Sequence, residues 1–192
     1  MTRPSIVRST ALLLAVLGFL VWRLGEVAPP EAPHLGNLDF PAVTPDTIAP
    51  REGYRAPDFD APDLRGDPVK LSALRGRAVF INFWATWCIP CRRELPAIGR
   101  LAARAPEGVT VLTIATDSRE PDVRAMMREG GIRVPVIFDE TGALAARYEV
   151  TGIPTTLLLD AQGIVVKRIV GARAWDHPEF LAWLDGLATQ GR

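Results

Sequence analysis

The chain has 192 residues, of which 48% are hydrophobic and 23% are charged, with 22 basic and 22 acidic side chains. At roughly 100 to 200 residues per domain, this length suits one globular domain with about fifty residues to spare, and it excludes two large domains. Zero net charge without a long run of Lys or Arg argues against a nucleic-acid partner, because binding to phosphates needs clustered positive charge.

An apolar segment with basic flanks lies at the amino terminus. Residues 9–22 carry no charge, and Arg3, Arg8 and Arg23 surround them. Extended to residues 6–27, the segment is long enough to cross a bilayer, which takes about 20 residues. We predict a signal anchor over residues 1–27, with the amino terminus in the cytoplasm and the rest of the chain outside. A cleaved secretory signal is one alternative and a buried core helix is another, although Glu26 spoils the nearest small-x-small cleavage site.

A proline-rich segment follows the predicted anchor. Seven prolines fall between residues 28 and 57, so backbone donors are missing and a helix is disfavoured. We predict a tether over residues 28–56 that holds a domain of residues 57–192 off the membrane. An arm packed on the domain stays open as an alternative for residues 37–48.

The domain is predicted to begin with a hairpin and a buried strand. Residues 58–64 and 69–71 flank a turn-like segment, and a short helical turn follows at residues 72–74. Residues 78–85 form a nearly continuous apolar run, which is typical of a central strand buried on both faces. The spacing of Leu95, Ile98 and Leu101 then predicts a helix that continues to about Ala105.

The remaining segments alternate between strands and helices. Strands are predicted over residues 109–115, 134–138, 155–159 and 164–170, and helices over residues 121–129, 142–148 and 176–188. The order β-α-β-α-β-α-β-β-α indicates an α/β fold, with a mixed sheet that helices cover on both faces.

Cys88 and Cys91 are the only cysteines and lie where the buried strand turns into a helix. The helix N-terminus stabilises a thiolate, so the pKa of Cys88 should fall below its usual value of about 8.5. Cys88 would then act as a nucleophile and Cys91 would resolve the mixed disulfide, which is thiol-disulfide exchange. The alternatives are a structural disulfide, a pair of buried free thiols and a metal half-site, for which only His34 and His177 are further candidates.

Two motifs resemble a known family. Residues 81–96, INFWATWCIPCRRELP, resemble the active-site segment of the membrane-anchored TlpA/ResA-like thioredoxin proteins, and residues 152–156, GIPTT, resemble their cis-proline loop. The resemblance covers residues 56–187 and includes the family's extra helix and strand at about residues 119–138. It implies a thioredoxin-like fold with an amino-terminal hairpin.

The same resemblance implies roles for the site residues. Cys88 attacks and Cys91 resolves, while Pro154 faces the disulfide in a cis bond that leaves a backbone edge free for the substrate peptide. Trp87, Ile153 and Thr155 are the expected contacts with the substrate.

A proton carrier is also implied. Ordinary thioredoxins have a buried Asp beneath the disulfide, where this chain has Asn82. Glu94 lies three residues after Cys91 on the same helical face and matches the acidic residue that the family uses near its disulfide. A solvated surface glutamate is the alternative.

The residues between the cysteines predict the direction of the reaction. Neither Ile89 nor Pro90 can donate a charged hydrogen bond to the Cys88 thiolate, so the pair should be reducing rather than oxidising. The resemblance implies a reductase of exported protein disulfides, including apocytochrome c thiols, with electrons from a membrane thiol transporter and no cofactor or metal beyond the redox disulfide.

Two other functions stay open. A copper-delivering thioredoxin-fold protein would use the two thiolates as soft ligands. A peroxidase of the peroxiredoxin kind would fit residues 56–59, APDF, which also open those proteins. Against it, Ala85 stands where a peroxidase has Thr.

Overall fold

The computed structural model describes residues 47–117 and 119–189. The strands, numbered along the chain, are β1 Asp60–Pro62, β2 Pro68–Lys70, β3 Ala78–Trp84, β4 Val109–Ala115, β5 Val136–Phe138, β6 Thr155–Leu159 and β7 Val165–Val170. The helices are α1 Ile89–Arg104, α2 Glu120–Glu129, α3 Ala143–Arg147 and α4 Pro178–Thr189, and a 3-10 turn spans Leu71–Leu74.

Strands β3 to β7 form one mixed sheet in the spatial order β5-β4-β3-β6-β7. Strand β4 is parallel to β3 and β5, whereas β6 is antiparallel to β3 and β7. Strands β1 and β2 pair separately as an antiparallel hairpin. The predicted α/β order and the thioredoxin-like arrangement are therefore confirmed.

Strand β3 lies at the centre of the sheet, and all of its residues are buried. Phe80 and Trp84 pack on one face in a cluster with residues of α1 and α4. Ile81 and Phe83 pack on the other face in a second cluster that includes Tyr148. A strand covered on both faces cannot alternate between apolar and polar residues, which explains the apolar run in its sequence.

Two elements begin later in the chain than predicted, and a proline explains each difference. The strand predicted from residue 134 begins at Val136, because Pro135 has no N–H to donate to the neighbouring strand. The last helix, predicted from residue 176, begins at Pro178, since proline fits the first turn of a helix.

The predicted boundary between tether and domain, at residues 56 and 57, is wrong. Residues 47–56 pack on the domain as an arm along β7, which is an edge strand. The Gly53 N–H donates to the Val165 carbonyl at 2.8 Å, and the Ala56 N–H donates to the Gly163 carbonyl at 2.9 Å. The arm therefore gives hydrogen-bond partners to a sheet edge that would otherwise be open.

The predicted anchor over residues 1–27 lies outside the described residues, as does the tether up to residue 46. None of the helices within the described ranges is long and apolar enough to cross a membrane.

Candidate active site

The two cysteines form a disulfide at the amino-terminal end of α1. The S–S distance is 2.10 Å and the two Cα atoms lie 5.3 Å apart. The Cys88 side chain is 5% exposed and the Cys91 side chain is fully buried. Of the two cysteines, only Cys88 therefore keeps any exposure to solvent.

The local fold places the Cys88 sulfur at the positive end of a helix dipole. Cys88 is the N-cap residue of α1, and its Sγ accepts a hydrogen bond from the Cys91 N–H at 3.2 Å. Pro90 in the first turn sacrifices no helical hydrogen bond, because the first N–H groups of a helix have no partner inside it. A thiolate at Cys88 would be stabilised both by the free amides and by the dipole.

The loop before β6 lies against the disulfide. The Ile153–Pro154 peptide bond is cis, as the resemblance implied. The Ile153 carbonyl oxygen lies 3.8 Å from the Cys88 Sγ. A disulfide sulfur carries no proton, so this is a contact, but the thiol of the reduced form could donate to the same carbonyl.

Exposed apolar side chains flank Cys88 in the chain. Trp87 is 70% exposed and Ile89 is 60% exposed, one on each side of Cys88 in the chain. Ile153 is half-buried and packs against both core clusters. Trp87 is next to Cys88 in the chain and the Ile153 carbonyl contacts the Cys88 sulfur, so both residues are candidates for contact with a substrate.

Thr155, the third expected substrate contact, is buried. Its side chain is 1% exposed, and its hydroxyl donates to the Gly152 carbonyl at 2.6 Å. The residue begins β6 and pairs with Phe83 on one side and Val170 on the other. The Thr155 side chain is therefore enclosed by the sheet and its loop, and the role of Thr155 in substrate binding stays a prediction.

Glu94 is a buried carboxylate with three hydrogen-bond donors. It is 3% exposed, which rules out the alternative of a solvated surface glutamate. The Asn82 amide donates to Oε1 at 2.9 Å. The Arg173 N–H and the Trp175 indole N–H both donate to Oε2 at 3.0 Å. Asn82 also donates to the Thr156 hydroxyl at 3.0 Å, which connects Glu94 to β6.

Burial has the largest effect on the pKa of Glu94. Removal from water favours the neutral acid and raises the pKa of Glu94 above its usual range. The hydrogen bonds from Arg173, Asn82 and Trp175 favour the charged form and offset part of that increase. A raised pKa makes a carboxyl group better suited to proton transfer than an ordinary glutamate.

Three polar residues of the site had no counterpart in the sequence-based prediction. Trp175 and Arg173 contact Glu94 from 81 and 79 residues away in sequence. Asp117, two residues after the end of β4, is buried and binds Thr86 in the segment before Cys88. No local sequence pattern identifies such partners, although an acidic residue shortly after a buried strand is a weak signal.

Two surface grooves flank α2. The smaller, of about 390 Å³, lies between α1 and α2 and is lined by Thr86 and Arg92 beside the redox pair. The larger, of about 630 Å³, lies between α2 and the hairpin and contains none of the predicted site residues. The smaller groove is not lined by a predicted site residue either, so the chemistry belongs to the surface at Cys88 and not to either groove.

A metal site finds no support within the described ranges. They contain no group of three or more His, Cys, Asp or Glu side chains that could hold an ion. His177, one of the two histidines of the chain, lies 4.0 Å from the Glu179 carboxylate. His34 lies outside the described residues.

Comparison with known proteins connects this geometry to a family. The sequence model of the AhpC/TSA family matches residues 53–168. The thiol-disulfide oxidoreductase ResA of Bacillus cereus is 34% identical over 128 residues, which cover 66% of this chain and 74% of that protein.

Two solved structures are similar in both fold and sequence. The thiol:disulfide interchange protein of the thioredoxin family from Chlorobium tepidum is 33% identical, with a TM-score of 0.59, over 71% of this chain and 94% of that one. The exposed lipoprotein thioredoxin Etrx1 from Streptococcus pneumoniae is 29% identical, with a TM-score of 0.60, over 68% of this chain and all of that one.

Proposed function

Because this chain belongs to the AhpC/TSA family and to the TlpA/ResA-like thiol-disulfide oxidoreductases within it, we propose that it reduces the disulfides of exported proteins. The observation that carries the proposal is the Cys88–Cys91 disulfide at the amino-terminal end of α1. Only the Cys88 sulfur of that pair is near the surface, and it lies against the loop of Pro154.

The reaction proceeds in two exchanges. In the reduced protein the Cys88 thiolate attacks one sulfur of a client disulfide, so a mixed disulfide forms and the second client sulfur leaves and takes a proton. The Cys91 thiol loses its proton and attacks the Cys88 sulfur, and the first client sulfur leaves as the Cys88–Cys91 disulfide closes. The first client sulfur takes the proton that Cys91 gave up, and the second client sulfur takes a proton from solvent, equal to the one that Cys88 released when it became a thiolate. The client thus gains two electrons and two protons, and the dithiol loses two electrons and, counting the Cys88 proton, two protons.

Glu94 is the proton carrier in this proposal. It lies one helical turn beyond Cys91, on the same face of α1. As a carboxylate it accepts from the Asn82 amide, and as a neutral acid it could donate to the Asn82 Oδ1, a buried acceptor without a partner among the described atoms, once the amide turns over. Asn82 can therefore support both protonation states of Glu94.

The direction of the reaction follows from the residues around the sulfur. Strong oxidants stabilise the reduced thiolate, and neither Ile89 nor Pro90 has a side chain that can donate a hydrogen bond to it. The pair therefore prefers the disulfide form and acts as an electron donor. It needs no cofactor beyond the disulfide, and a membrane thiol transporter is the proposed source of the two electrons that restore the dithiol.

The proposed location and clients rest on the amino-terminal segment and on similar proteins. The apolar segment over residues 1–27 supports a membrane anchor with the domain outside the cytoplasm. The similarity to Etrx1, whose name describes an exposed lipoprotein, supports the same side of the membrane. We infer that the clients are exported proteins that need free thiols, and apocytochrome c is the first to examine.

The two rival functions fit the site less well. A peroxidase needs a hydroxyl three residues before its reactive cysteine, where this chain has Ala85. A copper carrier would need further soft or imidazole ligands near the sulfurs, and the described part of the chain brings none together.

The proposal is tested by trapping the client in the Cys91→Ala variant. Without the resolving thiol, Cys88 should hold its client as a mixed disulfide that dithiothreitol releases and mass spectrometry identifies. The matched control is Cys88→Ala, which keeps only the fully buried sulfur and should trap nothing. Recovery of no partner by Cys91→Ala, or equal recovery by both variants, would contradict the proposal.

A further inference from the structure

Asp117 is a buried carboxylate that holds the segment leading to Cys88. It lies two residues after the end of β4 and is 4% exposed. Its two oxygens accept from the Thr86 N–H at 2.9 and 3.0 Å, and Oδ1 also accepts from the Thr86 hydroxyl. Thr86 precedes Cys88 by only two residues, so these bonds fix the path of the chain just before the reactive sulfur.

The end of β4 is itself tied to the end of β3. The Thr116 N–H donates to the Trp84 carbonyl at 2.8 Å, and the Thr116 hydroxyl donates to the same oxygen at 3.2 Å. The Cys88 N–H in turn donates to the Ala85 carbonyl at 3.1 Å. The backbone next to Asp117 is therefore fixed by hydrogen bonds to the end of β3, from which the chain continues to Cys88.

The charge of Asp117 is stabilised but not neutralised by these contacts. Both donors belong to Thr86 and are neutral dipoles. The other charged groups in this part of the molecule are Arg92, Arg93 and Glu94 of α1, Asp122 and Glu129 of α2 in the same groove as Thr86, and Arg173 after β7. Arg92 lines the groove next to Thr86, whereas Arg173 and Glu94 contact each other beyond Cys91. Asp117 is thus the anionic group that is hydrogen-bonded to the segment before Cys88 on the β4 side.

We propose that Asp117 is a positioning residue that makes the dithiol a stronger reductant by holding a negative charge against Thr86, two residues before the Cys88 thiolate. A like charge disfavours the thiolate, whereas the disulfide carries no charge and is not affected. The reduced form is therefore destabilised relative to the oxidised form, which lowers the reduction potential. The inference rests on the proposed exchange function and adds a residue that sets its driving force.

The test is the Asp117→Asn variant of the full chain. Asparagine has the same shape, can accept from the Thr86 N–H through its oxygen and can donate to the Thr86 hydroxyl, so the loop keeps its anchor without the charge. The expected result is that the equilibrium with dithiothreitol shifts towards the reduced protein by about 3- to 10-fold. The midpoint of Cys88 alkylation should move to lower pH in the same variant.

Two controls separate charge from structure. Asp63→Asn makes the same change at another buried carboxylate, which accepts from backbone N–H groups of the hairpin turn, and should leave the equilibrium unchanged. Thr86→Val removes the hydroxyl bond but keeps the Asp117 charge, and should shift the equilibrium much less than Asp117→Asn. If Asp117→Asn does not fold, Asp117→Ser repeats the test, since a serine hydroxyl can still accept from the Thr86 N–H.

Three results would overturn the inference. They are an unchanged equilibrium in the folded Asp117 variant, an equal shift in Asp63→Asn and an equal shift in Thr86→Val. Failure of the proposed exchange function can be distinguished from these results, because the wild-type protein itself would then reduce no client disulfide.

Discussion

At the scale of single residues, Glu94 shows how a carboxyl group acquires a role from its surroundings. Three donors hold it in place, and burial raises its pKa. Its folded-state pKa lies above the unfolded value, so protonation favours the folded state. The free energy of unfolding should accordingly fall as pH rises from the usual carboxyl value of about 4.3 to the raised one.

Replacement of Glu94 by Gln should flatten two pH profiles. Disulfide exchange by the wild type should vary as Glu94 titrates, whereas Glu94→Gln should keep only the dependence that Cys88 imposes. The free energy of unfolding of Glu94→Gln, measured across the same pH range, should lack the decrease with rising pH that Glu94 contributes.

The control for this experiment is Glu179→Gln, which changes an exposed carboxylate at the start of α4. It should reproduce both wild-type profiles. A Glu94→Gln profile that superimposes on the wild type in both rate and stability would refute the proton-carrier role.

The sequence could predict Glu94 but not the network around it. Its position one turn after Cys91 identified the residue, and its alternative, a solvated side chain, could not be rejected without the fold. Trp175 and the Arg173 N–H arrive from a loop after β7, and Asp117 arrives from the end of β4. Such partners depend on strand order, which no local spacing encodes.

At the scale of elements, Arg168 connects the arm of residues 47–56 to the domain. Its guanidinium donates to the Pro50 carbonyl at 3.1 Å, to the Tyr148 carbonyl at 3.0 Å and to the Glu149 carbonyl at 2.8 Å. One side chain thus joins β7, the arm and the end of α3.

Replacement of Arg168 by Ala should loosen the arm. Because hydrogen bonds to three backbone carbonyls are lost, the free energy of unfolding should fall by about 1 to 3 kcal/mol, as measured in denaturant. Hydrogen exchange of the Ala49, Gly53 and Ala56 amides should accelerate more than that of amides in β3.

Lys167→Ala is the matched control for Arg168. Lys167 is the neighbouring residue on β7, and it forms only an exposed ion pair with Glu52 at 3.7 Å, which is worth little. Equal acceleration in both variants, or none in Arg168→Ala, would show that Arg168 does not hold the arm.

The same elements show what a sequence can predict. Strand β3 and helix α1 were correct to within about a residue, because an apolar run and a 3.6-residue spacing are local properties. The arm was mistaken for tether because it is held by backbone hydrogen bonds to β7 and not by an apolar pattern of its own. Its prolines suggested a segment without partners, and the partners lie about 110 residues away in sequence.

At the scale of the whole molecule, the proposed site draws on four parts of the chain. The β3–α1 junction supplies the sulfurs, the end of β4 supplies Asp117, the loop before β6 supplies Pro154, and the loop after β7 supplies the donors to Glu94. The motifs at residues 81–96 and 152–156 predicted two of these four. The other two became visible only in the assembled sheet.

The proposed anchor makes a prediction about the full chain in cells. The protein should sediment with membranes and be digested by protease added outside intact spheroplasts, whereas a chain without residues 1–27 should remain soluble and protected in the cytoplasm. The full-length protein with Arg3 and Arg8 unchanged is the reference, since these residues set the orientation. Protection of the full-length domain from external protease would contradict the proposed location.

The central claim is that Cys88 and Cys91 form a reducing pair, and the reduction potential of the full-length protein tests it most directly. Equilibration with dithiothreitol and glutathione buffers, followed by alkylation of free thiols, measures that potential. The account predicts a value below about −200 mV, near the range of thioredoxin. A value well above about −200 mV, towards that of the oxidase DsbA, would contradict it.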